Sequence, residues 1–370
     1  MNDALYIVDQ PALLDFCARL GDLPWLAVDT EFVREKTYYP QLCLIQVAVP
    51  GQIACIDPLA VPSLEPLLEI LCDPRAVKVL HAAYQDLEIF FQLRGAVPAP
   101  VFDTQLAALV LGHGHQLGYA ALVEQMLGVR LEKAHTRADW RQRPLASEYL
   151  TYAADDVRYL GELYTRQQAL LRERGWLDAL AEDFRALAAP DHYRQQPREA
   201  WRRIRDQNRL RGVQQAALRA LAAWREHQAS HHDRPRRWIV DDAALIELAR
   251  RLPETPEELR QIRALPTGVR ERQGQALLEA IAAARAELPE QWPAPSRRRR
   301  FSPAQAARAA GLLELIESRA AQYGIWPGAL TDRRDIEAVV FGEDSRLFHG
   351  WRAALLGREN LAQFLPGASD

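Results

Sequence analysis

Sequence that is typical of β-strands is confined to the first 103 residues of this 370-residue chain. Its runs are rich in β-branched and apolar residues, and the turn signal Pro50-Gly51 separates two of them. Five runs qualify as strand candidates: Trp25–Phe32, Leu42–Val49, Gln52–Asp57, Val77–Leu80 and Val101–Phe102. We expect the first three to form an antiparallel meander. The pattern predicts an α/β first half with a mixed sheet, followed by an all-α second half.

Two helix starts and a proline-rich segment divide the second half. Thr255-Pro256 with Glu258, and Ser302-Pro303 with Gln305, each combine a capping hydroxyl, a proline at the first helical position and a capping-box residue. Between them, residues 289–300 hold three prolines and four arginines, which favours a linker. The predicted domains are 1–190, 195–290 and 300–370.

The charge is distributed unevenly between the halves. Residues 1–190 carry 16 Lys and Arg against 25 Asp and Glu, whereas residues 191–370 carry 30 Arg against 24 Asp and Glu. This asymmetry suggests a polyanionic partner for the second half. On charge alone, however, we favour the interpretation that the arginines, including the run Arg297–Arg300, simply solvate helix faces and the linker.

Targeting and redox signals are few. We expect no signal peptide, because no basic segment leads into an apolar stretch at Met1–Leu5. We also expect no membrane association, because every apolar run is strand-sized. The four cysteines lack C-x-x-C spacing and are interpreted as core residues of a reduced, cytoplasmic protein: Cys17, Cys43, Cys55 and Cys72.

Acidic residues at three places are candidates for metal binding. Asp29 and Glu31 project from one face at the end of a strand, where a divalent cation would relieve their repulsion. Asp86 lies about one turn into a helix that follows a strand. Tyr152 and Asp156 share a helix face at i and i+4. Taken separately, each place is more typical of solvated carboxylates than of a metal site.

In combination, the order D-x-E, Asp and Y-x-x-x-D resembles the DEDD 3′→5′ exonuclease superfamily in its tyrosine-bearing branch. The flanking sequence is similar to the ribonuclease D family over most of residues 25–165. The matching segments are Val28–Glu35, Thr37–Leu42, Leu44–Gln46, His81-Ala82, Asp86–Glu88, Phe102–Gln105, Asp139-Trp140, Arg143–Leu145 and Tyr152–Asp156.

This resemblance implies a ribonuclease H-like fold and two divalent ions, Mg²⁺ or Mn²⁺, with no organic cofactor. Asp29, Glu31, Asp86 and Asp156 match the metal-binding carboxylates, and Tyr152 matches the catalytic motif tyrosine. The spacing selects Asp156 over its neighbour Asp155. Because a phenol with a pKa near 10 is a poor base at neutral pH, we interpret Tyr152 as orienting the attacking water.

Other polar residues near these motifs have two interpretations each. Asp103 is either a further acid beside the site or, as we favour, the cap of the helix that starts near Thr104. His81 is interpreted as a supporting residue rather than a metal ligand. The basic segment Arg130–Arg143, with His135 and Trp140, either holds the substrate backbone or serves as a connector.

The second half is similar, over residues 210–265, to the helicase-and-RNase-D C-terminal (HRDC) domain. Residues 301–366 are interpreted as a second, divergent copy. We expect its core to contain Trp326, Phe341, Phe348 and Trp351. We also expect the tryptophans of the first bundle to be core residues rather than base-stacking platforms: Trp201, Trp224 and Trp238.

The resemblance implies a 3′→5′ exoribonuclease that releases nucleoside 5′-monophosphates from tRNA precursors and other small structured RNAs. The helical bundles would hold the RNA body, and the architecture suggests a monomer. Two alternatives are a DNA 3′→5′ exonuclease on the same fold and an RNA-binding module without catalysis. Relative rates on RNA and DNA separate the first alternative, and metal-dependent turnover separates the second.

Overall fold

The computed structural model describes residues 4–21, 23–131, 138–293 and 301–366. The chain packs as two units built from interleaved segments. The sheet unit comprises Met1–Val33, Leu42–Tyr193 and Phe301–Asp370. The helical unit comprises Arg34–Gln41 and Arg194–Arg300. The sequence-based boundaries at 190–195 and 290–300 stay a prediction.

A six-stranded mixed sheet organises the described part of the sheet unit, in the order β1-β4-β3-β2-β5-β6. The parallel pairs are β1 with β4, β2 with β5, and β5 with β6, while β3 and β4 are antiparallel. The strands are β1 (Leu5–Ile7), β2 (Trp25–Val33), β3 (Gln41–Val49), β4 (Gln52–Ile56), β5 (Val77–Leu80) and β6 (Val101–Asp103). The mixed sheet predicted for the first half is confirmed; β1 was not predicted.

Helices cover both faces of this sheet. Those before residue 190 are α1 (Gln10–Arg19), α2 (Glu65–Leu71), α3 (Tyr84–Arg94), α4 (Thr104–Val110), α5 (Tyr119–Leu127), α6 (Ser147–Arg158), α7 (Leu160–Glu173) and α8 (Leu177–Leu187). One buried cluster joins Leu26 and Val28 to α1, α2 and α3. A second joins Ala27 to α4, α6, α7 and α8. Alternate residues of β2 therefore face opposite cores, as the strand period requires.

The helical unit forms its own core. Its helices are α9 (Val213–His231), α10 (Arg236–Ile239), α11 (Asp242–Arg251), α12 (Pro256–Arg260) and α13 (Thr267–Ala286). Trp201 is buried in this core and Trp224 is half-buried against it. Trp238 is 61% exposed, so the prediction that it is a core residue is wrong. Trp238 lies in the four-residue helix α10. The next residue, Ile239, packs against the core, and Val240 after it is buried.

Residues 34–41, which directly follow β2, pack in the helical unit. The buried Tyr38 hydroxyl donates to Glu226 Oε1 at 2.5 Å, and the Arg236 guanidinium donates to both Glu226 oxygens at 2.6 Å. The same guanidinium lies 4.5 Å from the centre of the Tyr38 ring. Asp233 Oδ1 accepts from the backbone N–H groups of Tyr38 and Tyr39 at 3.0 Å. We call this arrangement the Tyr38 anchor.

The last helices pack within the sheet unit. They are α14 (Pro303–Tyr323), α15 (Pro327–Leu330), α16 (Arg333–Phe341), α17 (Gly350–Leu356) and α18 (Arg358–Ala362). Trp351 Nε1 and Arg352 Nη1 both donate to the Asp183 carboxylate at 2.8 Å. Trp351 is buried, but Trp326 is 42% exposed, so its predicted place in the core is wrong. Trp326 precedes the turn into α15, where Ile325 and Leu330 are buried instead.

The remaining sequence predictions have clear outcomes. Thr255 and Ser302 cap their helices as expected. Phe341 and Phe348 are half-buried, and three of the four cysteines are buried, with Cys72 half-buried. The run Arg297–Arg300 lies outside the described residues, and the interpretation of 301–366 as a second HRDC copy stays a prediction. No helix among the described ranges is long and apolar enough to cross a membrane.

Candidate active site

Three carboxylates converge where β2 meets α6. Asp29 and Glu31 come from one face of β2, and Asp156 comes from α6. One oxygen from each of the three lies within 4.8 Å of the others, and all three side chains are half-buried. The strand supplies the i and i+2 pair, and the helix places the third group over it. Oxygen-only donors at this separation suit a hard divalent cation.

Asp86 lies outside this three-carboxylate group but is tied to the same strand. It sits in the first turn of α3 and is buried. Thr30 Oγ1 donates to Asp86 Oδ1 at 2.5 Å. Because Thr30 stands between Asp29 and Glu31 in β2, this bond fixes Asp86 beside the strand that carries the other two acids. Its charge is close enough to raise the pKa of both Asp29 and Glu31.

The four carboxylates bind protons more tightly than ordinary acids. Burial, reinforced by Asp86, Asp156 and Glu31, raises the pKa of Asp29 well above its usual range. Burial and two carboxylate neighbours raise the pKa of Glu31 to about 8. Burial raises the pKa of Asp86 and of Asp156 to about 7. Concentrated negative charge of this kind is costly without a cation, and acids with raised pKa values are typical of functional sites.

Tyr152 lies on α6 one turn before Asp156. Its hydroxyl hydrogen-bonds to the Asp156 carboxylate. Burial and the charges of Asp156, Glu31 and Asp29 raise the pKa of Tyr152 above its ordinary value. The ring packs against Trp140 with a centroid separation of 6.2 Å. The phenol therefore stays protonated at neutral pH and can donate a hydrogen bond, but it is unsuited to removing a proton.

The turn before α3 is held by Asp103. Its carboxylate accepts from the backbone N–H of Ala82 at 3.1 Å and of Ala83 at 2.9 Å. It also accepts from Gln105 N and Leu106 N, which confirms its predicted role as the cap of α4. Ala82 has a left-handed backbone, with φ of 58°. Asp103 thus stabilises a strained turn that positions Asp86, although it joins no carboxylate group itself.

Known proteins and protein-family models match this chain over nearly its whole length. The family model described as 3′-5′ exonuclease matches residues 5–172, and that for the HRDC domain matches residues 214–281. The chain is 41% identical to "Ribonuclease D" of Acidiphilium cryptum, over 95% of this chain and 90% of that protein. The chain belongs to the ribonuclease D family. It is accordingly a 3′→5′ exoribonuclease, a phosphodiester hydrolase.

Other ribonuclease D proteins support this assignment. "Ribonuclease D" of Pseudomonas paraeruginosa is 38% identical over 99% of this chain and 97% of its own length. The crystal structure of Escherichia coli RNase D, described as an exoribonuclease involved in structured RNA processing, superposes with a TM-score of 0.86. That match has 32% identity and covers 99% of this chain and 100% of that one. The exonuclease fold with an HRDC domain, predicted from the sequence, is confirmed.

Within this ribonuclease D fold, several neighbouring residues have structural partners. Asp155 accepts from Arg158 Nε at 2.6 Å, whereas Asp156 joins the carboxylate group. His81 bonds to Thr104 Oγ1 at 2.9 Å and to the Leu117 carbonyl oxygen at 3.0 Å, which fits a supporting role. Arg143 donates to Asp57 Oδ2 at 2.5 Å, so this arginine has a structural partner, while the role of the segment Arg130–Arg143 stays a prediction. His135 lies outside the described residues.

Two contributors were not predicted from the sequence. Thr30 holds Asp86, and Tyr119 supports α6 through a hydrogen bond of 2.9 Å from its hydroxyl to the Asp155 carbonyl oxygen. Thr30 had a usable signal, because it lies inside the D-x-E motif. Tyr119 gave none, since it reaches α6 only through the tertiary fold.

Proposed function

We propose that Asp29, Glu31, Asp86 and Asp156 hold two divalent ions, Mg²⁺ or Mn²⁺, for exonucleolytic cleavage of RNA. The exonuclease fold implies divalent metal use, and the acidic cluster is compatible with it. The observation that carries the assignment is the convergence of Asp29, Glu31 and Asp156 oxygens within 4.8 Å. The donor set consists of carboxylate oxygens alone, which is the chemistry that both ions prefer.

Bound divalent ions would supply charge stabilisation for the phosphodiester transition state and favour ionisation of the attacking water. The reaction forms a bond from the water oxygen to phosphorus and breaks the bond from phosphorus to the 3′-oxygen of the preceding nucleotide. That oxygen takes up a proton, and the phosphate leaves on the 5′ carbon of the released nucleotide. The products are a nucleoside 5′-monophosphate and an RNA shortened by one residue.

Tyr152 orients the water in this proposal. Its raised pKa keeps the phenolic proton in place at neutral pH, so the residue acts as a hydrogen-bond donor. Asp156 holds the hydroxyl through their hydrogen bond, and Trp140 packs against the ring. Both contacts restrict the rotation of the tyrosine side chain, which favours a single water position.

The substrates in this proposal are tRNA precursors and other small structured RNAs, and the enzyme is a monomer. The involvement of E. coli RNase D in structured RNA processing supports the substrate class. So does the charge of the helical unit: residues 34–41 and 194–293 carry 21 Lys and Arg against 15 Asp and Glu. We infer that the helical unit holds the structured body while the 3′ tail enters the carboxylate site.

The test uses a 5′-labelled RNA hairpin with a single-stranded 3′ tail, incubated with Mg²⁺, Mn²⁺ or EDTA, beside its DNA counterpart. We expect metal-dependent shortening from the 3′ end that is faster on RNA. Asp29→Asn should abolish it, while Asp155→Asn, which changes an acid paired with Arg158, should retain it. Full activity of Asp29→Asn, or activity that survives EDTA, would contradict the metal assignment.

A further inference from the structure

Trp238 is an unusually exposed tryptophan. Its 61% exposure compares with 42% for Trp326 and 1% for Trp201. An indole ring left in water keeps a large apolar face available for contact, and exposed aromatic residues mark binding surfaces. Ile239 and Val240, which follow Trp238, supply the core contacts of this short helix. Among the described residues of the helical unit, the hydrophobic core does not include the indole.

Four basic residues close to Trp238 in the sequence are exposed. His231, His232, Arg234 and Arg237 are all exposed, and the Arg237 side chain is 80% exposed. The Arg237 guanidinium lies 3.9 Å from one carboxylate oxygen of Asp242. The other oxygen of Asp242 accepts a hydrogen bond of 2.8 Å from the buried Arg225. We define these four residues with Trp238 as the Trp238 surface.

Two other acids close to Trp238 in the sequence, Asp233 and Asp241, accept hydrogen bonds from the backbone. Asp233 Oδ1 accepts from the N–H groups of Tyr38 and Tyr39, and Arg236 is bound to Glu226 in the Tyr38 anchor. The backbone of the segment is also fixed, because Arg234 N donates to Ala229 O and Trp238 N donates to Pro235 O. A held segment loses little conformational entropy when it binds a partner.

We propose that the Trp238 surface binds RNA, with the indole stacking on an unpaired base and Arg234 and Arg237 contacting phosphates. Every base offers a π-face to an aromatic ring, and arginine pairs with phosphate through its planar fork. The net positive charge of the helical unit matches a polyanion. This inference rests on the proposed role of the helical unit in holding structured RNA, and it names the surface that does so.

The experiment measures fluorescence anisotropy of a fluorescein-labelled RNA hairpin with a 3′ tail, in EDTA so that no cleavage occurs. We expect Trp238→Ala in the full chain to raise the Kd about 5- to 100-fold, and Trp238→Phe to restore most of the affinity. Arg237→Ala should raise the Kd and lower the slope of log Kd against log salt concentration by about one. Matched controls are Trp326→Ala and Arg205→Ala, which change an exposed tryptophan of the sheet unit and an arginine that is 93% exposed.

Three results would overturn the inference: wild-type affinity of Trp238→Ala, an equal loss in Trp326→Ala, or full rescue by Trp238→Leu, which would indicate an apolar contact to a protein. The anisotropy assay is independent of the metal assignment. RNA binding by Asp29→Asn that is lost on Trp238→Ala would support the Trp238 surface. If the wild-type protein at the same time showed no metal-dependent cleavage, the carboxylate proposal alone would be refuted.

Discussion

Asp86→Asn should make the metal-free protein more stable, and increasingly so as the pH rises. Burial raises the pKa of Asp86 from 3.8 to about 7, so the folded state binds this proton more tightly than the unfolded state. A group with a raised pKa stabilises the fold in its protonated form, and that contribution is lost as the pH rises from about 4 to about 7. Asparagine stays neutral and keeps an oxygen for the Thr30 hydroxyl, so it avoids the loss.

The size of the effect follows from the two pKa values. A shift of about three pKa units corresponds to roughly 4 kcal/mol once the group is fully ionised. Integrating the difference in bound protons between the unfolded and folded states gives a loss of about 2–3 kcal/mol in the free energy of unfolding between pH 5 and pH 8. This value is an upper limit, because the neighbouring acids titrate together. For a unit of this size, each kcal/mol shifts the Tm by about 2–4 °C.

The assay is thermal unfolding of wild type and Asp86→Asn in EDTA at pH 5 and pH 8. We expect a Tm advantage for Asp86→Asn that is larger at pH 8 than at pH 5. Mg²⁺ should then raise the Tm of wild type more than that of the variant, because a cation relieves the same repulsion. Asp155→Asn is the matched control, because it changes an acid that is paired with Arg158 rather than one of the four carboxylates. An advantage independent of pH, or a less stable variant at pH 8, would refute the electrostatic reasoning.

Four further outcomes are expected. Tyr152→Phe should keep metal binding, measured by calorimetry, and lose about 10²-fold in kcat, and full kcat would remove the orienting role. Asp29→Asn should lose at least roughly 10³-fold in kcat/KM, since it removes a proposed metal ligand, and near-wild-type turnover would contradict its assignment. Thr30→Val should raise the Mg²⁺ concentration needed for half-maximal rate about 10-fold, while Thr30→Ser should need the same Mg²⁺ concentration as wild type. A wild-type Mg²⁺ requirement in Thr30→Val would show that the hydroxyl is dispensable. Glu226→Ala should cost about 2–3 kcal/mol in urea unfolding, because it leaves Arg236 without its carboxylate, and an unchanged midpoint would show that the Tyr38 anchor contributes no stability.

The sequence predicted those features that depend on local pattern. The alternation in β2 placed Asp29 and Glu31 on one face, and the helix period placed Tyr152 beside Asp156, because both geometries repeat over a few residues. Thr255 and Ser302 were recognised as caps for the same reason. The resemblance to ribonuclease D then joined the separate motifs into one expected site.

Features that depend on distant packing were not predicted. Nothing local links Tyr38 to Glu226, which lies 188 residues later in the chain. Trp238 and Trp326 were expected in cores because tryptophan is usually highly buried, but both lie in or beside four-residue helices and stay exposed. The pairing of β1 with β4 was also missed, since a three-residue strand carries too little periodicity to be distinguished from a loop.

The interleaved chain path limits how this enzyme can be divided. The polypeptide passes from the sheet unit to the helical unit and back twice, first at residues 34–41 and again at 194–300. A fragment ending at residue 193 would lose α14–α18, exposing the apolar side of α4 and leaving Asp183 without Trp351 and Arg352. It would also leave Tyr38 without Glu226. Tyr38 lies five residues after Val33, the last residue of the strand that carries Asp29 and Glu31. Insertion, deletion and recombination at the boundary of the helical unit therefore act on the strand of the carboxylates as well, and the two units are expected to be inherited and engineered together.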